Sequence, residues 1–238
     1  MKIRLDKFLS DMQVATRSES HQLIRNKKVF VNDQVAKTAN QKIDPLLDKV
    51  CIHHQPIKYQ KYFYWLLNKP AGVISATSDK HQATVLDLLT DNDYRNDLFP
   101  VGRLDKDTTG LLLLTNDGQL AHNLLSPRHH VDKVYRATVQ GQVTAQTIAT
   151  FAKGVKVDEH FTAKPAKLRL LKYDENMLQS QIELTITEGK FHQVKRMFQA
   201  LGMRVLSLTR IQMGTLTLGD LPQGEYRALT STEINALQ

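Results

Sequence analysis

The order in which strand patterns follow one another limits the folds open to this chain. Residues 134–139 alternate between apolar and polar side chains, and residues 167–171 and 181–187 alternate or are rich in β-branched residues, which is typical of strands. No helical pattern separates the last two of these strands. A regularly alternating α/β fold would place a helix between them. We therefore predict an α+β fold in which a mixed, mainly antiparallel sheet is flanked by helices.

Further patterns surround these three strands. The all-leucine run at residues 111–114 follows a polar loop and is typical of a buried strand. Thr230 and Glu233 match a capping box, which predicts a helix at the end of the chain. The other expected elements are strands at residues 62–67 and 204–208 and helices at residues 83–89, 118–126, 144–152 and 191–201.

A smaller unit precedes this sheet. Apolar residues recur at helical spacing over residues 5–12, and Thr16 with Glu19 matches the capping box of a second helix. Residues 29–35 then read as a hairpin with an Asn-Asp turn. The polar, proline-containing stretch at residues 53–58 is typical of a linker. The sequence thus predicts two domains, at residues 1–59 and 60–238.

The charge balance favours a polyanionic partner. Lysines and arginines number 32 and acidic residues 24, which gives a net charge of +8 and favours association with nucleic acid. Cys51 is the only cysteine, which excludes an intrachain disulfide framework. The start of the sequence has no signal-peptide pattern, and no apolar run approaches the ~20 residues of a membrane span. We expect a cytoplasmic monomer that does not contact a membrane.

Residues 102–110, reading GRLDKDTTG, concentrate charged and hydroxyl groups between two glycines. One interpretation is a polar turn before a buried strand, because aspartate and glycine are turn residues. Residues 105–109 also match the D-x-D-x-T pattern of haloacid-dehalogenase-type phosphatases, but proline and glycine precede them where that chemistry requires a buried strand. An EF-hand calcium site is excluded, since Asn116 stands where a bidentate glutamate is needed.

Six motifs follow one another along the chain. The loop and leucine run come within residues 102–118, and the others read LNKPAG, SPRHH, KVY, EGKFHQVKRMF and GEYRALT, at residues 67–72, 126–130, 133–135, 188–198 and 224–230. Together they resemble the RsuA-type pseudouridine synthase family. Residues 2–50 resemble the S4 RNA-binding domain, although Lys28 and Asp33 stand where that family often has glycine, which predicts less tight hairpin turns.

The resemblance implies isomerisation of uridine to pseudouridine in ribosomal RNA. Three motifs (SPRHH, EGKFHQVKRMF and GEYR) are most similar to those of family members that act on the small-subunit (16S) RNA. The expected partner is that RNA or a small-subunit assembly intermediate. Two alternatives stay open: a family member acting on large-subunit (23S) RNA, and a catalytically inactive RNA-binding assembly factor.

Site residues follow from the same resemblance. It implies that Asp105 is the catalytic carboxylate, that Lys195 is its paired cation, and that Tyr135 stacks on uracil and exchanges a proton. The family usually has arginine at the position of Lys195, and lysine lacks the bidentate fork of arginine. Isomerisation needs no redox partner or group donor, so no cofactor is expected, and the histidines lack metal-ligand spacing. The turn residues expected to cap the loop are Asp107, Thr108 and Thr109.

RNA contacts are expected in both domains. A uridine in folded RNA must leave the base stack before it reacts, and Arg103 is placed to fill the vacated position. The basic cluster at residues 25–28 ends a helix, where it fits either phosphate binding or a solvated helix end. The full set of expected RNA-binding residues is Arg103, Arg4, Lys7, Arg17, Arg25, Lys27, Lys28, Lys69, Arg128, His129, Lys190 and Arg196.

Overall fold

The computed structural model describes residues 2–126 and 129–237. The chain divides into two compact units, Met1–Tyr62 and Phe63–Gln238, and each has its own apolar core. Within the described residues no helix is both long and apolar enough to cross a membrane.

The first unit packs two helices against short strands. Its core includes Leu5, Phe8 and Leu9, the apolar stripe seen in the sequence. Thr16 and Glu19 form the predicted capping box at the start of the second helix. The elements are β1 (Ile3–Arg4), α1 (Leu5–Asp11), α2 (Arg17–Arg25), β2 (Val29–Val31), β3 (Gln34–Val35), β4 (Lys42–Ile43), β5 (Val50–Ile52) and β6 (Gln55–Pro56).

The hairpin of β2 and β3 turns at Asn32 and Asp33, as predicted. Its turn has two residues, because Val31 pairs with Gln34. Both turn residues have positive φ, 52° and 63°, which asparagine and aspartate tolerate better than other non-glycine residues. The expectation of a less tight turn was therefore wrong at Asp33.

The second unit contains the larger sheet. Its elements are β7 (Tyr64–Lys69), a 3₁₀ turn (Leu86–Leu88), β8 (Phe99–Pro100), β9 (Thr109–Thr115), α3 (Gly118–Leu125), β10 (Lys133–Gln140), α4 (Ala145–Lys153), β11 (Lys167–Asp174), β12 (Gln179–Ile186), α5 (Gln193–Gln199), β13 (Arg204–Met213), β14 (Leu216–Thr217), β15 (Tyr226–Ala228) and α6 (Ser231–Ala236).

The described strands of this unit form one mixed sheet in the order β11-β12-β10-β13-β9-β7-β15, with β14 on β13 and β8 on β9. Neighbours are antiparallel except β9 and β13, which are parallel. Their contact joins Thr109 to Thr209 and Gly110 to Arg210. This arrangement confirms the predicted α+β class with a mainly antiparallel sheet.

Three elements differ from the sequence predictions. The helix expected at residues 83–89 is only a 3₁₀ turn, because Leu89 already has extended backbone angles, with φ −80° and ψ 146°. The helix expected from residue 191 starts at Gln193, since His192 has a φ of 48°. The strand expected at residues 204–208 continues to Met213, where β10 and β14 supply partners.

Candidate active site

Asp105 lies in the loop between β8 and β9, and the preceding LNKPAG motif holds that loop in place. The backbone N–H of Leu104 donates to the Ser75 hydroxyl at 3.0 Å, and the same hydroxyl donates to the Leu104 carbonyl at 2.9 Å. Gly72 donates its N–H to the carbonyl of Lys106 at 2.8 Å. Backbone contacts on both sides of Asp105 thus fix where its carboxylate projects.

Lys69 also holds this loop in place, through hydrogen bonds from its ammonium group. Its Nζ donates to the carbonyls of Pro70 (2.9 Å), Thr108 (2.9 Å) and, more weakly, Lys106 (3.4 Å). The residue is fully buried, and burial lowers the pKa of Lys69 to about 8. The predicted RNA contact by Lys69 was therefore wrong, because its ammonium group is enclosed and bonded to backbone carbonyls.

Lys195, on α5, forms an ion pair with Asp105. Its Nζ lies 2.9 Å from Asp105 Oδ2 and 2.6 Å from Asp107 Oδ1. Burial alone lowers the pKa of Lys195, but the two carboxylates outweigh it and hold that pKa above its ordinary value. The same ammonium lowers the pKa of Asp107. Lys195 is consequently a cation at neutral pH, held between two carboxylates from one loop.

Tyr135 lies on β10 and lines a small pocket of about 70 Å³ together with Asp105 and Lys195. Its side chain is buried, with 7% exposed. Ile186 and Leu208, from the strands flanking β10, form part of the same lining. The pocket therefore combines an aromatic ring, apolar walls and one carboxylate–ammonium pair, a composition suited to a planar polar ring such as a nucleobase.

His192 is a site residue that the sequence reasoning missed. Its Nε2 lies 3.5 Å from Asp105 Oδ1, and its ring stacks on the exposed ring of Phe191 with centroids 3.8 Å apart. The available signal was its position in the EGKFHQVKRMF motif, three residues before Lys195.

The three turn residues of the loop act differently from the prediction. Asp107 pairs with Lys195 through its exposed side chain. The Thr109 hydroxyl lies 2.8 Å from that of Thr209 on β13. The buried Thr108 hydroxyl has no hydrogen-bond partner among the described residues. Capping by the two threonine side chains was therefore wrong, since the Thr109 hydroxyl bonds across the sheet and the Thr108 hydroxyl has no partner in the part of the chain that the structure describes.

Two of the predicted RNA-binding residues line the Asp105 pocket, namely Arg103 and Lys190, and both are exposed. Arg196 lies on the same helix as Lys195 but pairs with Asp158. The His129 ring bonds to the carbonyl of Asn123 at 2.8 Å. Arg128 lies outside the described residues.

The basic residues of the first unit are all exposed. Arg4 pairs with the buried carboxylate of Asp6, and Lys7 pairs with Asp11. The other four residues of this unit that were predicted to bind RNA form no ion pair with any residue that the structure describes: Arg17, Arg25, Lys27 and Lys28.

We also searched the described residues for clusters of side chains that could bind a metal ion. No group of three or more histidine, cysteine, aspartate or glutamate side chains is arranged to hold an ion among residues 2–126 and 129–237. The chemistry available at the pocket is that of a carboxylate, an ammonium group, a phenol and an imidazole.

Comparison with known proteins decides the family. The profile described as RNA pseudouridylate synthase matches residues 63–200, and that of the S4 domain matches residues 3–45. The chain belongs to the RNA pseudouridylate synthase family. The family match covers the loop of Asp105, the strand of Tyr135 and the helix of Lys195, so these three site residues lie within the matched domain.

Family relatives match the chain over nearly its full length. An uncharacterised RNA pseudouridine synthase of Bacillus subtilis is 43% identical, covering 99% of this chain and 98% of its own. A ribosomal small subunit pseudouridine synthase A of Salmonella typhimurium is 42% identical, with 98% of each chain covered. A crystal structure of a pseudouridylate synthase superposes with a TM-score of 0.68 at 37% identity, covering 99% of this chain and all of the other.

Proposed function

We propose that this protein converts one or more uridines of small-subunit ribosomal RNA to pseudouridine, with Asp105 as the catalytic carboxylate. The observation that carries the proposal is the Asp105–Lys195 ion pair at the mouth of the pocket lined by Tyr135. Full-length similarity to a small subunit pseudouridine synthase A supports the choice of RNA.

Isomerisation breaks the bond between uracil N1 and ribose C1′, turns the base, and forms a bond between C5 and C1′. The proton on C5 is lost and N1 gains one, so no other reactant is consumed. Asp105 serves either as nucleophile at C1′ or as base toward the sugar. The ammonium group of Lys195 pairs with the carboxylate and orients it, and the ring of Tyr135 stacks on the turning base while its hydroxyl transfers a proton.

The uridine must first leave the RNA stack, at a cost of a few kcal/mol. Arg103 is exposed two residues before Asp105 and lines the same pocket, so it is placed to occupy the vacated position. The S4 unit supplies docking contacts through its exposed Arg17, Arg25, Lys27 and Lys28, which neutralise RNA phosphates.

We further propose that the protein acts as a cytoplasmic monomer on small-subunit RNA, either free or within an assembly intermediate. The intact pair of Asp105 and Lys195 argues against an inactive assembly factor, because a carboxylate paired with an ammonium group in a pocket is typical of a catalytic site.

Tritium release tests the proposal. RNA labelled with tritium at C5 of uridine loses the label when C5 bonds to the sugar. We expect the wild-type protein to release tritium from small-subunit RNA or its assembly intermediate and not from large-subunit RNA. Release from large-subunit RNA alone would select the alternative substrate. Release from neither would favour the inactive factor, and magnesium-dependent phosphate release would favour the phosphatase.

A further inference from the structure

A second, larger cavity adjoins the Asp105 pocket. It has a volume of about 870 Å³ and shares Arg103, Asp105 and Lys190 with the smaller pocket. Tyr135 does not line it. A ligand that reaches Asp105 through this cavity therefore contacts different side chains from a ligand in the smaller pocket lined by Tyr135.

The lining of this cavity is strongly cationic. Among the described residues that line it, one carboxylate, that of Asp105, stands against four basic side chains. Three of the basic residues are exposed and one is buried. They are Arg103, Lys106, Lys190 and the buried Lys133. Because low-dielectric walls strengthen the field of such a cluster, the cavity favours an anion.

Lys133 is the unusual member of the cluster. Only 6% of it is exposed, and its Nζ donates one hydrogen bond, to the carbonyl of Val131 at 3.0 Å. Within the described residues no carboxylate forms an ion pair with it. An ammonium group has three donors, and a buried charge without a partner is costly. Lys133 can therefore donate further hydrogen bonds, and a negatively charged partner would stabilise its ammonium group.

A second buried cation, that of Arg210, lies close enough to Lys133 to act on its charge. Arg210 is 2% exposed, donates from Nε to the carbonyl of Leu111, and has an Nη2 with no hydrogen bond in the described part of the chain. Burial, and next the charge of Arg210, lower the pKa of Lys133, while Asp132 acts in the opposite direction. Lys133 and Arg210 are thus two enclosed cations close to each other, and neither forms an ion pair with a carboxylate among the described residues, so an incoming anion would neutralise the charge that Lys133 presents to the cavity.

We propose that this cavity binds a backbone phosphate of the RNA next to the reacting uridine, with Lys133 as its buried anchor. The inference rests on the proposed function, since RNA is the substrate that presents a phosphodiester within one nucleotide of Asp105. Lys133 donates to the phosphate oxygens from inside, and Lys190 contacts the same group from the rim. The phosphate thereby fixes the strand while the base enters the Tyr135 pocket.

Phosphate ethylation interference tests the proposal on the full wild-type chain. The small-subunit RNA is ethylated at random so that each modified phosphodiester loses its charge, and protein-bound RNA is separated from free RNA. We expect ethylation of a phosphate within two nucleotides of the reacting uridine to block binding. Absence of interference within that window would overturn the proposal, and this result needs no variant protein.

Variants then assign the phosphate to Lys133. We expect Lys133→Met to erase the interference at that phosphate, to raise KM for the RNA about tenfold, and to make the slope of log(kcat/KM) against log salt shallower by about 0.7 to 0.9. Lys133→Arg should restore the slope and the interference. Lys172→Met, which removes an exposed lysine from β11, is the matched control and should leave the interference unchanged.

A purely structural role for Lys133 makes a different prediction. Lys133→Met would then lower the melting temperature while the interference near the uridine stayed as in the wild type, and this outcome would overturn the assignment. If Lys133→Met fails to fold, Lys133→Gln replaces it, since glutamine keeps a hydrogen-bond donor and loses the charge; unchanged interference in the folded Lys133→Gln variant would overturn the assignment. Failure of the proposed function differs from failure of the phosphate site, because in the first case the wild-type protein would release no tritium from any ribosomal RNA.

Discussion

Lys195 lies between two carboxylates, and its charge is central to the site. Replacing it with methionine removes the cation beside Asp105 but keeps a similar side-chain length. We expect Lys195→Met to lower single-turnover rates by about 10²-fold or more, the range found when one electrostatic contact of a reacting group is removed. Binding of RNA should change much less.

Lys195→Arg provides the control for this change. Arginine keeps the charge, and its fork can bond to Asp105 and Asp107 together, so most of the activity should return. Full activity in Lys195→Met with an unchanged melting temperature would show that the ion pair is not needed for turnover.

Lys69 predicts a pH dependence of stability. Its folded-state pKa of about 8 lies below its unfolded value of 10.5, so the unfolded chain binds more protons between these values. The free energy of unfolding should therefore rise with pH from about 8 to 10.5, by about 3 kcal/mol for this group. Below pH 8 both states hold the proton and the contribution is constant.

Urea unfolding at several pH values checks this dependence. The wild-type free energy of unfolding should increase relative to that of Lys69→Met as the pH rises from 8 to 10. Parallel curves for the two proteins over that interval would contradict the assignment of the shift to Lys69.

The predictability of individual residues depended on whether their partners were local or distant. The motifs gave Asp105, Tyr135 and Lys195 as one set, and the structure brings them to one pocket. Thr109 bonds to β13, which lies about 100 residues later in the chain, and no local pattern indicated that partner. Lys69 looked like a surface lysine because sequence does not show which lysines are enclosed.

At the scale of elements, the parallel contact of β9 and β13 depends on Gly110. Its φ is 102°, and an added Cβ would lie 2.2 Å from the Arg210 carbonyl oxygen. We expect Gly110→Ala to lower the free energy of unfolding by about 3 kcal/mol or more, because both the backbone angle and the contact become unfavourable.

Gly118→Ala is the matched control, since Gly118 begins α3 and an added Cβ would meet nothing within 4 Å. This variant should be neutral or slightly more stable. Equal stability of the two variants in urea unfolding would show that the close approach of β9 to β13 does not depend on glycine.

Elements with a cap or a clear period were predicted well. The capping boxes at Thr16 and Thr230 are present, and the alternation at residues 134–139 became β10. The shortest strands were missed, among them β8 and β14, because two residues carry no period. The length of β13 was also missed, since its later half is set by β10 and β14 rather than by its own sequence.

At the scale of the molecule, we expect the first unit to contribute RNA binding and the second unit to carry out the isomerisation. Deleting residues 1–62 removes the S4 unit and its exposed basic residues. We expect weaker binding of small-subunit RNA and a shallower dependence of log K on log salt, by about 0.7 to 0.9 for each lost phosphate contact. Tritium release should persist at high RNA concentration.

Filter binding between 50 and 200 mM salt measures the slope. An unchanged slope would mean that the S4 unit makes no phosphate contacts. Substituting together the four exposed basic residues predicted to bind RNA that form no ion pair among the described residues should reproduce most of the effect of the deletion while leaving the unit folded. They are Arg17, Arg25, Lys27 and Lys28.

The fold class could be predicted from the sequence, but the order of the strands in the sheet could not. Consecutive strands without intervening helices gave the α+β class. The arrangement that brings β9 beside β13 follows from long-range pairing, which local patterns do not encode. That pairing places the Asp105 loop next to β13, which flanks the strand of Tyr135 on one side, so the active site is a consequence of the sheet order.

Single-turnover tritium release by Asp105→Asn tests the central claim most directly. The substitution keeps the shape of the side chain and removes its charge, and Asp107→Asn removes the other carboxylate bonded to Lys195. We predict that Asp105→Asn releases no tritium from small-subunit RNA above background, although it binds that RNA as the wild type does, whereas Asp107→Asn stays within about tenfold of wild type. Turnover by Asp105→Asn at the wild-type rate would contradict the account.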